Sequence, residues 1–278
     1  MSRQNNLLKF SKANVKLRKL SQALPIPWRY ATVYTLDLLS GFSCPFAKSC
    51  LAKAILENGK RKIRDGIHAL IRCYSASQEA QYKQTYNMRA ANFEKLRACK
   101  TLSDYVTLIH TSIPADAGVI RPHTAGDYFN QIYFDAWLEV ARLNPDRLFY
   151  SYTKSLGFWV KRLSSIPENF ILTASEGGTQ DHLIEQHNLR SCVVVYSEAE
   201  AQDQELPIDH DDSHAANPAW RDQRFALLIH GTQPKGSEAQ QAPCEHLTVS
   251  EVTTELTNHI HQKERTTPWQ KKEILTEH

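Results

Sequence analysis

The sequence predicts an α/β domain on a mainly parallel sheet, curled into a full or partial (β/α) barrel. Three observations point there. Short apolar runs rich in β-branched and aromatic residues recur along the chain, helix-patterned stretches separate them, and each run ends in something polar or reactive. Runs that are apolar throughout suit strands covered on both faces. Parallel neighbours also need a crossover between them, and the helical stretches supply it.

Taken in order, residues 1–30 hold Arg3, Lys9, Lys12, Lys16, Arg18 and Lys19 and no acid, and read as a basic N-terminal arm. Residues 31–247 form the expected barrel-like domain, and 248–278 a C-terminal helix and tail. Strands are predicted at 31–37, 69–73, 119–124, 148–153, 170–175, 192–197 and 225–230. After Cys73, Ser75 with Gln78 has the form of a capping box. Tyr82, Tyr86, Ala90, Phe93 and Leu96 then share one helical stripe. Residues 130–143 are helical in pattern and stop before Asn144-Pro145; 180–187 and 249–262 are further helix candidates. Residues 191–220 carry seven acids and no Lys or Arg, an acidic loop insertion.

The 278 residues are 41% hydrophobic, enough for a sizeable core and too apolar for disorder. A net charge of +3 does not by itself argue for nucleic acid. Its distribution does more: the N-terminal arm and the run Lys60 to Arg64 could contact phosphates. No apolar run approaches the ~20 residues of a membrane span. No signal-peptide stretch follows the basic start, so the expected setting is cytoplasmic, with no membrane partner. Walker and G-x-G-x-x-G patterns are missing, and no Ser, His and Asp arrangement reads as a triad.

In a barrel the C-terminal strand ends surround one mouth, where sites of that fold are built. Asp37, Cys73, His123, Asp127, Tyr152, Lys154, Ser175, Glu176, Ser197 and His230 all fall there. Helix capping accounts for the serines, but poorly for Arg121, His123, Lys154 and His230. His123 and Asp127 could serve as acid and base, and Arg121 could hold an anion. Strict alternation would put Arg121 and His123 on one face. Lys154 could bind a phosphate or carboxylate, and the Ser175-Glu176-Gly177-Gly178 turn could cradle an anion on backbone N–H groups. The Asp209–His214 segment could bind a hard cation or zinc, although it lacks calcium-loop or H-E-x-x-H spacing.

Six cysteines lie at 44, 50, 73, 99, 192 and 244. Cys44 and Cys50 follow the first strand and Cys73 closes the second, so three thiolates could meet at the mouth. They suit an iron–sulfur cluster with one iron left open, or zinc with a fourth ligand. Cys244 is a candidate fourth ligand, whereas Cys99 and Cys192 look like core residues. The plainer alternative is that all are small buried hydrophobes.

Several blocks, in order, carry a resemblance: FSCPFAKSCLAKA (42–54), IRCYSASQEA (71–80), IRPHTAGDYFNQIYFDAWLEVA (120–141), YSYTKS (150–155), NFILTASEGGTQDHLI (169–184), LPIDHDDSHA (206–215) and FALLIHGTQPKGSEA (225–239). Together they resemble the gene product 88-like family of phages and plasmids, which implies a mobile-DNA setting rather than a reaction. More loosely, the layout is similar to the radical-SAM barrel, which implies an iron–sulfur cluster and S-adenosylmethionine. That superfamily's C-x3-C-x2-C spacing is not present here. The leading expectation is an iron–sulfur enzyme acting on a nucleotide, nucleic acid or modified macromolecule, with Cys44, Cys50 and Cys73 as ligands. Arg121, His123, Lys154 and His230 would line its site. The alternatives are a non-catalytic nucleic-acid-binding or replication accessory protein, with a structural metal or none, and a zinc-dependent hydrolase or nuclease using the histidines and Asp209–Asp212.

Overall fold

The structure, a computed structural model, describes residues 6–13 and 15–241. Cys244, the helix expected at 249–262 and the C-terminal tail lie outside the described residues.

The N-terminal segment is built into the domain rather than held apart as an arm. β1 (Ser11–Lys12) pairs antiparallel with β2 (Thr32–Leu36). Between them α1 (Val15–Ala23) buries Leu17 and Leu20, followed by Leu24, against the sheet. The side-chain amide of Asn92 donates to the Lys9 carbonyl and accepts the Lys9 N–H, fixing the segment further.

The chain next forms a feature the apolar pattern did not predict, a hairpin of β3 (Ala52–Glu57) and β4 (Lys60–Asp65). Asn58 and Gly59 turn it with φ of 50° and 74°, the left-handed pair a two-residue hairpin turn requires. The strand expected at 69–73 does not form. That run is a series of bends closed by a helix, because no neighbouring strand receives its backbone groups. Helix α2 (Tyr74–Gln81) has Cys73 as its N-cap, and the expected Ser75 capping box is not made because Ser75 lies inside the helix. α3 (Lys83–Ala98) buries Phe93 and Leu96 from the predicted stripe. α4 (Leu102–Ser112) starts at a reciprocal capping box between Thr101 and Asp104.

Strands and helices then alternate as expected: β5 (Ala117–Pro122), α5 (Gln131–Arg142), β6 (Leu148–Thr153), α6 (Leu156–Val160), β7 (Phe170–Ser175), α7 (His182–Gln186), β8 (Ser191–Val195), α8 (Glu198–Asp203), α9 (Ser213–Ala216), β9 (Phe225–Leu228) and α10 (Glu238–Gln241). Asn130 caps α5 by accepting the Tyr133 N–H.

The main sheet has seven strands in the order β1-β2-β5-β6-β7-β8-β9, all parallel except β1. Among the described residues no pair joins β9 back to the first strands, so no closed barrel forms. Alternate residues feed two cores, as a sheet covered on both faces demands. Tyr34, Leu36, Ile120, Phe149, Phe170 and Leu172 pack with Phe93, Tyr105, Tyr133 and Trp137 of α3 to α5. Val33, Val119, Tyr150, Ile171 and Phe225 face the other way, onto α1 and α9. No described helix is long and apolar enough to cross a membrane.

Candidate functional site

The loop after β2 carries Cys44 and Cys50 and is tied across the C-terminal strand ends. Its start is fixed at Asp37, whose carboxylate accepts the N–H groups of Thr124 and Ala125 after β5. Its far side is fixed by Gly177 after β7, whose carbonyl accepts the N–H groups of Lys48 (3.2 Å) and Ser49 (2.9 Å). Two glycines make these approaches feasible. Gly41 (φ 70°) and Gly177 (φ 91°) hold left-handed backbone, and a Cβ would collide with the Ala52 carbonyl at the first and the Ser49 hydroxyl at the second. Cys73 is the N-cap of α2. The return of the chain is held by the Leu70 and Ile71 N–H groups on the Ser49 carbonyl.

Cys44, Cys50 and Cys73 are all half-buried. Burial pushes the Cys44 thiol well above its ordinary range, and Asp127, Cys73 and Cys50 add to the push. The Gly41 N–H, donating to Cys44 Sγ at 3.3 Å, acts the other way. Burial also raises Cys50; Lys154 opposes this, while Cys73 and Asp127 reinforce it. The three thiols therefore lie within electrostatic reach of one another. Among the described residues no three His, Cys, Asp or Glu side chains are grouped so as to hold a metal ion. Cys99 and Cys192 lie elsewhere: Cys99 hydrogen-bonds to the Lys95 carbonyl, and burial drives Cys192 up to about 12.

The other predicted residues divide into two groups. Asp127 and Lys154 stand beside the cysteines. The Asp127 carboxylate accepts the N–H groups of Tyr128 (2.7 Å) and Lys154 (2.8 Å) and the Thr153 hydroxyl (2.6 Å), yet burial still raises it to about 6. Lys154 Nζ donates to the carbonyls of Ser175 (2.9 Å) and Glu176 (2.5 Å) and to Ser175 Oγ, so it clamps the loop after β7. His230 is exposed at the rim, its ring 4.4 Å from that of Tyr74.

Arg121 and His123 do not share a face. Pro122 ends β5, and His123 has a φ of 66° that turns its ring toward α5, where Nε2 lies 3.0 Å from Tyr133 Oη. Burial, then the charge of Arg121, lowers His123 to about 3, a neutral core histidine. Arg121 faces the opposite layer, where Asp212 meets it at 2.5 Å and the Tyr152 ring lies 4.8 Å beneath it. The acidic loop is thus a buried counter-ion to the sheet. Asp209 accepts the Ala215 N–H, and Asp212 also accepts the Tyr150 hydroxyl. The proposed cradle at Ser175, Gly177 and Gly178 is filled by the chain itself, since Asp181 accepts the N–H groups of Gly177 (2.7 Å) and Gly178 (2.9 Å).

Sequence reasoning missed a buried network centred on Arg89. Arg89 of α3 donates to Glu79 (3.1 Å) and Asp37 (3.4 Å), and Ser40 donates to Glu79 through N–H and hydroxyl. A signal was present: Arg89 occupies the 4-3-4-3 stripe of 82, 86, 89, 93 and 96, where a charge needs a buried partner. Tyr74 was also missed. Its hydroxyl donates to the Thr124 carbonyl at 3.0 Å, and burial raises it to about 12.

Comparison with known proteins agrees with this layout at the level of family. A 30% identical stretch of 123 residues is shared with the Gene 88 protein of Mycobacterium phage L5. It covers 41% of this chain and 44% of that protein, so less than half of the relative is spanned. No solved structure matches. A family model described as Gene product 88 matches residues 2–247, a span that takes in every rim residue described above, and the chain belongs to that phage-associated family.

Proposed function

We propose that this chain is an iron–sulfur enzyme whose cluster is carried by Cys44, Cys50 and Cys73 at the mouth of an open barrel. The observation that carries the reading is that three half-buried thiols, from one pinned loop and one helix N-cap, lie within electrostatic reach of one another. Strand order supports the open barrel. From β2 to β9 that order follows the chain, without the reversal that marks a doubly wound sheet. Helices α3 to α5 cover one face of such a sheet while α1 and α9 pack on the other, and the strand ends can still curl toward a common mouth.

What supports a cluster is that the three thiols act on one another electrostatically. Three thiolates in a desolvated recess repel one another, and a polynuclear cation relieves that repulsion while the Gly41 N–H tunes one sulfur. When bound, such a cluster leaves one iron for a substrate or for a cofactor such as S-adenosylmethionine. Around it, Lys154 sets a positive charge beside Cys50 and holds the β7 loop. Asp127 keeps a carboxyl poised to hold or release a proton at its oxygens near neutral pH. Tyr74, next to Cys73 in the chain, packs its ring 4.4 Å from that of His230.

Anaerobic purification, or reconstitution with iron and sulfide, followed by visible absorption and iron analysis, tests the proposal. Wild-type protein is expected to be brown. Cys44→Ala, Cys50→Ala and Cys73→Ala should each bleach it, while Cys99→Ala and Cys192→Ala keep the colour. A colourless wild type, or a Cys73→Ala protein with full iron content, removes the proposal.

A further inference from the structure

Between the second and third cysteines the chain extends as the β3–β4 hairpin, and its charge is concentrated. Residues 48–72 hold seven Lys or Arg against two acids, a net of +5 in a chain whose total is +3. The register sorts that charge by face. Lys53 lies opposite Arg64, Ile55 opposite Lys62, and Glu57 opposite Lys60. Directly opposed residues share a face, so this one carries four cations and one acid. Glu57 is engaged by both Lys62 (3.2 Å) and Arg64 (2.9 Å), which leaves the face positive. The reverse face is anchored: Ala52 and Ala54 are buried, Arg61 Nε donates to the Glu79 carbonyl at 2.9 Å, and its guanidinium lies over the Tyr86 ring.

We infer that this hairpin is a duplex-DNA-binding ribbon that leads its substrate to the cysteine rim. A two-stranded ribbon enters the ~12 Å wide major groove of B-form DNA, with its cations beside the phosphates of the groove walls. The narrow major groove of an A-form RNA duplex does not admit it. Position supports the second half of the inference. β3 begins two residues after Cys50, and the chain leaving β4 is tied to the cysteine loop through Leu70 and Ile71. DNA on the ribbon therefore passes the mouth. The binding itself stands on the hairpin alone, while the delivery of substrate rests on the proposed rim chemistry.

The test is fluorescence anisotropy of the full chain with labelled DNA duplex, RNA duplex and single-stranded DNA across a salt series, with iron content measured in parallel. The DNA duplex should bind tightest. Lys53→Gln/Lys60→Gln/Lys62→Gln/Arg64→Gln should lower its affinity at least about tenfold and flatten the log–log salt slope by ~0.9 for each phosphate no longer neutralised. The variant's melting temperature and iron content should match wild type. Lys9→Gln/Lys12→Gln/Lys19→Gln, which removes exposed cations away from the hairpin, should leave the slope unchanged. Cys73→Ala should lose iron and keep DNA binding, which separates this inference from the cluster proposal. Undetectable binding by wild type, an unchanged hairpin variant, an equal loss in the Lys9 variant, or an RNA duplex bound as tightly as DNA would each overturn it.

Discussion

At the scale of single residues, Arg121 shows what alternation in a strand can and cannot reveal. A basic side chain directed into a sheet-covering layer was readable from the sequence. Its partner was not, because Asp212 lies 91 residues away in a loop whose acids looked solvated. The pair is nearly inaccessible, with Asp212 also taking the Tyr150 hydroxyl at 3.0 Å. Removing one member of such a pair leaves an uncompensated buried charge, so Asp212→Asn should destabilise the protein by roughly 3–5 kcal/mol in urea unfolding. The double change Arg121→Met/Asp212→Asn should recover most of that loss, because neither charge then remains buried and asparagine tolerates the left-handed backbone (φ 68°) while still accepting the Tyr150 hydroxyl. A double variant as unstable as the single one would mean that the loop's packing, and not the ion pair, is at stake. His123 shows the limit of the alternation rule from the other side. The rule ends where the strand ends, and Pro122 ends it one residue too early for His123 to follow Arg121.

At the scale of elements, six of the seven predicted strands form, because each combines β-branched density with a helix-patterned crossover on at least one side. The failure at 69–73 and the unforeseen hairpin share a cause. Apolar content marks strands that enter a core, whereas β3 and β4 are a surface ribbon whose evidence was the Asn58-Gly59 turn and a basic alternation. The cysteine loop is likewise set by contacts distant in sequence. Gly177, 128 residues from Ser49, accepts two of that loop's N–H groups and the Ser49 hydroxyl. Gly177→Ala places a methyl group against Ser49 at a left-handed φ, and the loop must move. The expected result is faster modification of Cys44 and Cys50 by a thiol reagent, with Cys192 unchanged. A variant reacting at the wild-type rate would show that the pin does not hold the loop.

At the scale of the whole molecule, the α/β class and the mainly parallel sheet were legible because parallel strands must be spaced by crossovers. What stayed hidden was how the rim groups neutralise one another, since burial and charge pairing depend on distances that no linear spacing encodes. That neutralisation has a measurable signature in the pH dependence of stability. His123 titrates near 6.5 when unfolded and near 3 when folded. Between those values the unfolded chain binds the extra proton, so stability falls as the pH drops from about 6.5. Asp127 runs the other way, from 3.8 unfolded to about 6 folded, so the native state binds the extra proton and stability rises as the pH drops through 6. From pH 7 to pH 5 the first effect removes about 2 kcal/mol and the second contributes about 1 kcal/mol. Glu79 and Asp209, both raised by burial, act in the same sense as Asp127. The slopes can be separated by substitution. His123→Asn keeps a residue that tolerates left-handed backbone and removes the imidazole, so it should lose less stability than wild type on acidification to pH 5. Asp127→Asn removes the opposing group and should lose more, whatever its stability at pH 7. Urea unfolding of the three proteins at pH 7 and pH 5 reads both differences, and parallel behaviour of the two variants would mean that neither group titrates in its folded environment as its burial requires.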